Sequence, residues 1–111
     1  MKDDRTCLLH ILECVRRIEE DTARGREAFF SSHTLQDAVL RNSQILAEST
    51  QRLSEDIRAR YVEIEWHRIG AFRNVLVHDY LGIDMERIWE ITQRDVPDLK
   101  NAVQSMPETG G

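Results

Sequence analysis

The sequence predicts an all-α protein, an up-down four-helix bundle with an additional short C-terminal helix. Three observations predict it. Apolar residues recur at three- and four-residue steps through most of the chain, as one buried face of a helix requires. Residues that cap or end helices stand between those periodic stretches, at Asp3, Gly25, Ser32, Gly82, Asp84 and Asp95. No stretch carries the alternation of a strand, and the sequence has no internal repeat or low-complexity tract. At 111 residues the chain has room for one domain with a modest core. We assign residues 1–106 to that domain and residues 107–111 to a flexible tail.

The first helix is expected from Asp3 to Arg24, with Asp3 or Asp4 capping its start. Leu8, Leu12, Val15, Ile18 and Thr22 form its apolar stripe, and Arg16, Arg17, Glu19, Glu20 and Asp21 form the solvated side. His10 falls off the stripe and reads as a surface residue. Gly25 ends this helix. Arg26 to His33 is expected to be a connection from which Phe29 and Phe30 fold back onto the core, with His33 at the surface. Ser31 or Ser32 starts the second helix, which runs to about Leu53. Leu35, Ala38, Val39, Leu46, Ser49 and Leu53 form its buried stripe, with Asn42 in the middle. A buried amide needs partners. Asn42 therefore either makes a core hydrogen bond that fixes helix register or, with Arg41 or Glu48, orients polar groups of a neighbouring helix. Glu48 and Arg52, one turn apart, read more simply as an exposed ion pair.

Asp56 to Glu65 reads as a helix end followed by a loop, and Trp66 opens the third long helix, with His67 exposed. Gly82 suits a left-handed helix cap. Asp84 then caps a fourth helix with Met85, Ile88, Trp89 and Thr92 on one face. Asp95 and Pro97 predict a break and restart, after which Val96, Leu99, Val103 and Met106 form a short apolar stripe. Trp66 and Trp89 are core residues by bulk, or interface residues in a dimer, where Trp is enriched.

Composition narrows the class. The apolar share of 41% is ordinary for a soluble globular chain. No apolar run approaches the ~20 residues of a membrane span, and the charged N-terminus lacks a signal-peptide pattern, so a cytoplasmic protein is expected. Cys7 and Cys14 lie about 10.5 Å apart along one helix, too far to bond to each other. They read as reduced packing thiols, and metal-ligand spacing of Cys and His is absent. Facing Glu-x-x-His pairs of a metal bundle are also missing. A net charge of −5 argues against a nonspecific nucleic-acid coat. Of the 15 basic residues 13 are Arg, whose rigid fork grips phosphate, so a local basic patch remains compatible with an acidic chain.

One stretch is more polar than a core-facing helix needs: Arg73-Asn74-Val75-Leu76-Val77-His78-Asp79-Tyr80. At about 100° per residue, Asn74 and His78 share one stripe and Arg73 and Tyr80 another. Arg73 and His78 diverge by about 140° on an ideal helix, so the two converge only if the helix is distorted or a second copy contributes. On physics alone His78 reads as a hydrogen-bonded structural residue, Tyr80 as a packed ring with a wet hydroxyl and Arg73 as a surface ion-pair member.

The Arg-x4-His-x-Tyr spacing, followed by Trp89, resembles the HepT-like family of the HEPN superfamily. Three further landmarks carry the likeness: Ala38-Val39-Leu40-Arg41-Asn42 with Ala47-Glu48, Tyr61 to Trp66, and Val96-Pro97-Asp98-Leu99. Together they cover roughly residues 3 to 105. Val62 and Glu65 depart from the pattern, which has prolines there. The resemblance implies an HEPN-like helical fold and a metal-independent ribonuclease toxin of a type VII toxin–antitoxin pair. It carries the catalytic roles to Arg73 and His78, contributed by paired protomers of a homodimer or a higher assembly, with Asn74 supporting and no cofactor. It also implies an RNA substrate, tRNA or mRNA, and an MntA-like nucleotidyltransferase antitoxin that transfers AMP to Tyr80.

The chemistry is consistent with those roles. Histidine titrates near neutrality and suits proton transfer, while arginine offers permanent charge and paired donors to phosphate. A two-fold dimer would supply both a base and an acid. Two other functions compete: a catalytically silent, nucleotide-binding partner subunit of a nucleotidyltransferase, and a structural dimerisation bundle in which the polar motif only ties helices together.

Overall fold

Capping residues place most helix boundaries in the computed structural model of the chain, which describes residues 3–77 and 84–110, and side chains there outside 73–77. Helix α1 spans Asp4–Thr22; Asp3 is its N-cap and accepts a hydrogen bond from the Thr6 N–H at 3.1 Å. Helix α3 spans His33–Gln51, capped by Ser32, whose hydroxyl accepts from the Leu35 N–H. Helix α5 spans Trp66–Val77. The last helical stretch starts with α6, Met85–Glu90, capped by Asp84. It passes through a π-helical turn at Ile91–Asp95 and ends as α7, Val96–Gln104. All regular structure among the described residues is helical.

Two short helices lie where connections were expected. Residues Arg26–Ser31 form α2 rather than a loop. Gly25 makes this possible by adopting φ 97°, which L side chains rarely adopt, and turning the chain straight into a new helix. The turn buries Phe29 completely, with its ring edge-on to Phe30 at 5.2 Å and 5.3 Å from Trp89. Glu55–Arg60 form α4. Its cap is Ser54, and Asp4 of α1 accepts from both the Ser54 N–H and hydroxyl at 2.9 and 2.6 Å.

The break expected at Asp95 and Pro97 is absent. Asp95 is itself in right-handed helical conformation and makes no cap hydrogen bond. Pro97 is accommodated because the first turn of α7 follows the π turn, whose looser hydrogen bonding spares the missing N–H. The stripe Val96, Leu99, Val103 and Met106 is buried as expected.

The core lies between α1, α3 and the α6–α7 stretch. Leu8, Ile11, Val15 and Ile18 of α1 meet Val39, Leu46 and Ala47 of α3, all at 1% exposure or less. Each large side chain so buried contributes roughly 1.5–3 kcal/mol. Ile11 and Cys14 belong to the α1 face, which is centred slightly away from the expected stripe, and Leu12 is only half-buried. The opposite face carries ion pairs of Arg16 with Glu13 and Glu20 at 2.7 and 2.8 Å. His10 is exposed but not idle: its Nδ1 lies 2.8 Å from the hydroxyl of buried Ser49 on α3. Both cysteines are free, and burial pushes the Cys14 thiol up. Residues Pro107–Thr109, part of the expected tail, form a 3₁₀ turn; Glu108 accepts from Tyr61 at 2.8 Å and Arg60 at 2.6 Å.

Candidate functional site

Helix α5 carries the polar motif, and its start is fixed from α4. Trp66 Nε1 donates to the Arg58 and Tyr61 carbonyls at 3.2 and 3.1 Å, tying the end of α4 to the first turn of α5. Trp66 is thus a half-buried anchor rather than a deep core residue. Ile69 and Phe72 then bury one face of α5 as it packs along α3. Gly70 sits where an added Cβ would come 3.4 Å from Gln51 Nε2 at the end of α3.

This packing sets the path of the last turn of α5, on which Arg73 and Asn74 stand, one position beyond buried Phe72. His78 and Tyr80 lie outside the described residues, as do Asp79 and the expected cap at Gly82. The described residues therefore bring Arg73 and Asn74 to the exit of α5.

Asn42 is buried, but its Nδ2 donates to the Ala38 carbonyl one turn earlier in α3, at 3.0 Å. Its hydrogen bond is therefore internal to its helix, so it does not lock two helices in register. Ser43 beside it has a buried hydroxyl with no partner among the described residues. Glu48 and Arg52 form no ion pair among the described residues.

Charges that sequence reasoning left aside gather along α5. Arg68 Nε lies 2.9 Å from Asp95 Oδ1, and a second guanidinium nitrogen lies 3.4 Å from Oδ2. Asp95, expected to be a helix cap, instead holds the N-terminal half of the motif helix against the π turn. Two clefts flank this pair. One, of about 270 Å³, is lined by Ile64, Arg68, Ile69, Asp95, Asp98 and Leu99 among others. The smaller, of about 70 Å³, lies between Arg68 and Phe72 of α5 and Arg87, Ile91 and Arg94 of the α6–π stretch. The signal was present in the sequence as Arg87, Glu90, Ile91 and Arg94 at helical spacing, but reading only the apolar face hid it. No group of three or more His, Cys, Asp or Glu side chains is placed to hold a metal ion among the described residues. No helix among them is long and apolar enough to cross a membrane.

Comparison with known proteins agrees with the helical frame and the motif. The family described as "Ribonuclease HepT-like" matches residues 11–106, and the chain belongs to that family. A protein named "Gamma-glutamylcyclotransferase and putative RNase" from Methanocaldococcus jannaschii is 36% identical over 108 residues, 96% of this chain and 49% of that protein. The chain thus spans about half the length of that relative. It spans nearly the whole of a "Putative RNase" from Caldanaerobacter subterraneus subsp. tengcongensis, 31% identical over 107 residues that make up 96% of each chain. A "Probable ribonuclease HepT" from Thermococcus cleftensis is 30% identical over 97 residues, 86% of this chain and 88% of that one. No solved structure matches the chain significantly.

Proposed function

We propose that the protein is a metal-independent endoribonuclease, the toxin of a type VII toxin–antitoxin pair, acting on tRNA or mRNA from a composite site in a homodimer. Membership of the HepT-like ribonuclease family, with Arg73 and Asn74 on the last turn of α5, is the observation that carries this reading. In the proposed reaction His78 of one protomer takes the proton of a ribose 2′-hydroxyl. The 2′-oxygen attacks the adjacent phosphorus, the bond from phosphorus to the 5′-oxygen breaks, and His78 of the other protomer protonates the departing oxygen. The two Arg73 guanidinium groups stabilise the charge that builds on the phosphorane, and Asn74 positions the phosphate.

Tyr80 is the control point in this reading. A nucleotidyltransferase partner of the MntA kind activates the phenol oxygen to attack the α-phosphorus of ATP, joining AMP to Tyr80 and releasing pyrophosphate. The added phosphodiester places negative charge two residues from His78 and competes with RNA for the arginines.

The test incubates purified wild type and His78→Ala with total tRNA in EDTA, after intact-mass measurement has established that Tyr80 carries no AMP. Light scattering reads the oligomeric state and thermal melts compare the folds. Cleavage by a dimer, lost in a variant that melts like the wild type, is the expected result. Silence of unmodified wild type, with nucleotide binding and a stable heterocomplex, favours the partner-subunit function instead. A large loss of stability in His78→Ala favours a structural motif.

A further inference from the structure

The small cleft between α5 and the α6–π stretch is more cationic than the chain around it. Arg68, Arg87 and Arg94 line it against the carboxylates of Glu90 and Asp95, in a protein of net charge −5. Asp95 is already engaged by Arg68, which fixes that guanidinium and leaves it further N–H donors, since arginine has five. Arg87 and Arg94 are seven residues apart, roughly 10 Å along the helical stretch, and both are exposed. Cations spread over that length suit a chain of phosphates better than a single one. The floor between them is apolar, from Phe72 and Ile91. A volume of about 70 Å³ is far too small for a double helix. The cleft also leads to the motif: Phe72 is the residue before Arg73, and Arg68 lies about 7.5 Å from Arg73 along the α5 axis.

We infer that this cleft is a backbone subsite for single-stranded RNA, in which Arg68, Arg87 and Arg94 hold the phosphates flanking the one cleaved at the motif. The inference rests on the ribonuclease reading for its ligand, and names residues that the motif does not contain. Arg87 and Arg94 are positioning residues for the strand and take no part in proton transfer.

The test uses the full-length chain carrying His78→Ala, so that RNA stays intact, with and without Arg87→Gln/Arg94→Gln. Fluorescence anisotropy reads binding of a labelled single-stranded RNA dodecamer across a salt series. The expected result is binding weakened at least tenfold, with the slope of log affinity against log salt reduced by about 1.4, two contacts at 0.7 each. Equal affinity and slope in the two proteins, or no RNA binding by the parent, overturns the subsite. So does competition by poly-glutamate as effective as by RNA, which would mark a cleft for acidic protein. In the background with His78 intact, the double substitution is expected to raise KM for long RNA and leave cleavage of a dinucleotide unchanged. Wild type that binds RNA through this cleft but cleaves nothing would sink the ribonuclease reading and leave the subsite standing.

Discussion

Arg68 and Asp95 join the motif helix to the π turn by two guanidinium–carboxylate contacts, at 2.9 and 3.4 Å. The carboxylate is 14% exposed and the guanidinium side chain 50%. The pair thus lies between a surface bridge, worth little, and a buried one. A double-mutant cycle with Arg68→Gln and Asp95→Asn should give a coupling of about 1 kcal/mol that shrinks in high salt. A coupling near zero would mean that apolar packing alone holds α5 against the π turn.

Phe29 is fully buried in a six-residue helix and touches both Phe30 and Trp89. Phe29→Ala should cost about 3–5 kcal/mol, and Phe29→Leu less than about 1.5 kcal/mol. Urea unfolding measures both, and near-UV circular dichroism should register the altered surroundings of Trp89 in the alanine variant.

Asp4 acts on two helices, starting α1 and holding the Ser54 cap of α4. The Ser54 hydroxyl that donates to Asp4 also accepts from the Ile57 N–H, so the carboxylate orients the cap. Asp4→Ala should destabilise by about 1–2 kcal/mol, at the upper end for a capping residue. Amide exchange should quicken first at Ile57 and Arg58. Faster exchange confined to α1 would contradict the role at α4.

Tyr61 and Glu108 should give stability a window in pH. The Glu108 carboxyl is held below its ordinary value by its own backbone N–H and by the Tyr61 hydroxyl. Its contribution is therefore present above the unfolded value near 4.5 and is lost as pH falls through the lowered folded value. The Tyr61 phenol is pushed above its ordinary 10, first by donating to Glu108. That contribution is present below the unfolded value and is lost as pH rises through the raised one. Denaturant titrations should show Glu108→Gln with a shallower acid limb and Tyr61→Phe with a shallower alkaline limb than the wild type. Parallel curves would show that the contact adds nothing to stability.

The helical class and the main caps were legible because their signals are local. Asp3, Ser32 and Asp84 each bond to a backbone N–H three residues on, as their positions imply. The stripe from Val96 to Met106 is buried because a period of 3.6 leaves it no other side to face. Helices α2 and α4 escaped notice because six residues are too short to display a period. The role of Asp95 was hidden because the same residue type can cap a helix or grip an arginine, and its partner Arg68 lies on another helix. His10 was misjudged as idle for a similar reason: Ser49, which it bonds, is reached only through the packing of α1 on α3. At the candidate site, Arg73, Asn74, His78 and Tyr80 were legible through the family's spacing. The cationic cleft beside them depends on two helices meeting and could not be read from either alone.

A π turn contains about one residue more than the α turn it replaces, so the segment Ile91–Asp95 works as a phase shifter in the polypeptide. Losing a single residue there would restore a plain helix and rotate everything downstream by about 100°. Val96, Leu99 and Val103 would swing away from α1, and Asp95 away from Arg68. Chain length at this point is thus under a tighter constraint than side-chain identity: a deletion of one exposed residue such as Gln93 would do more damage than most substitutions at it.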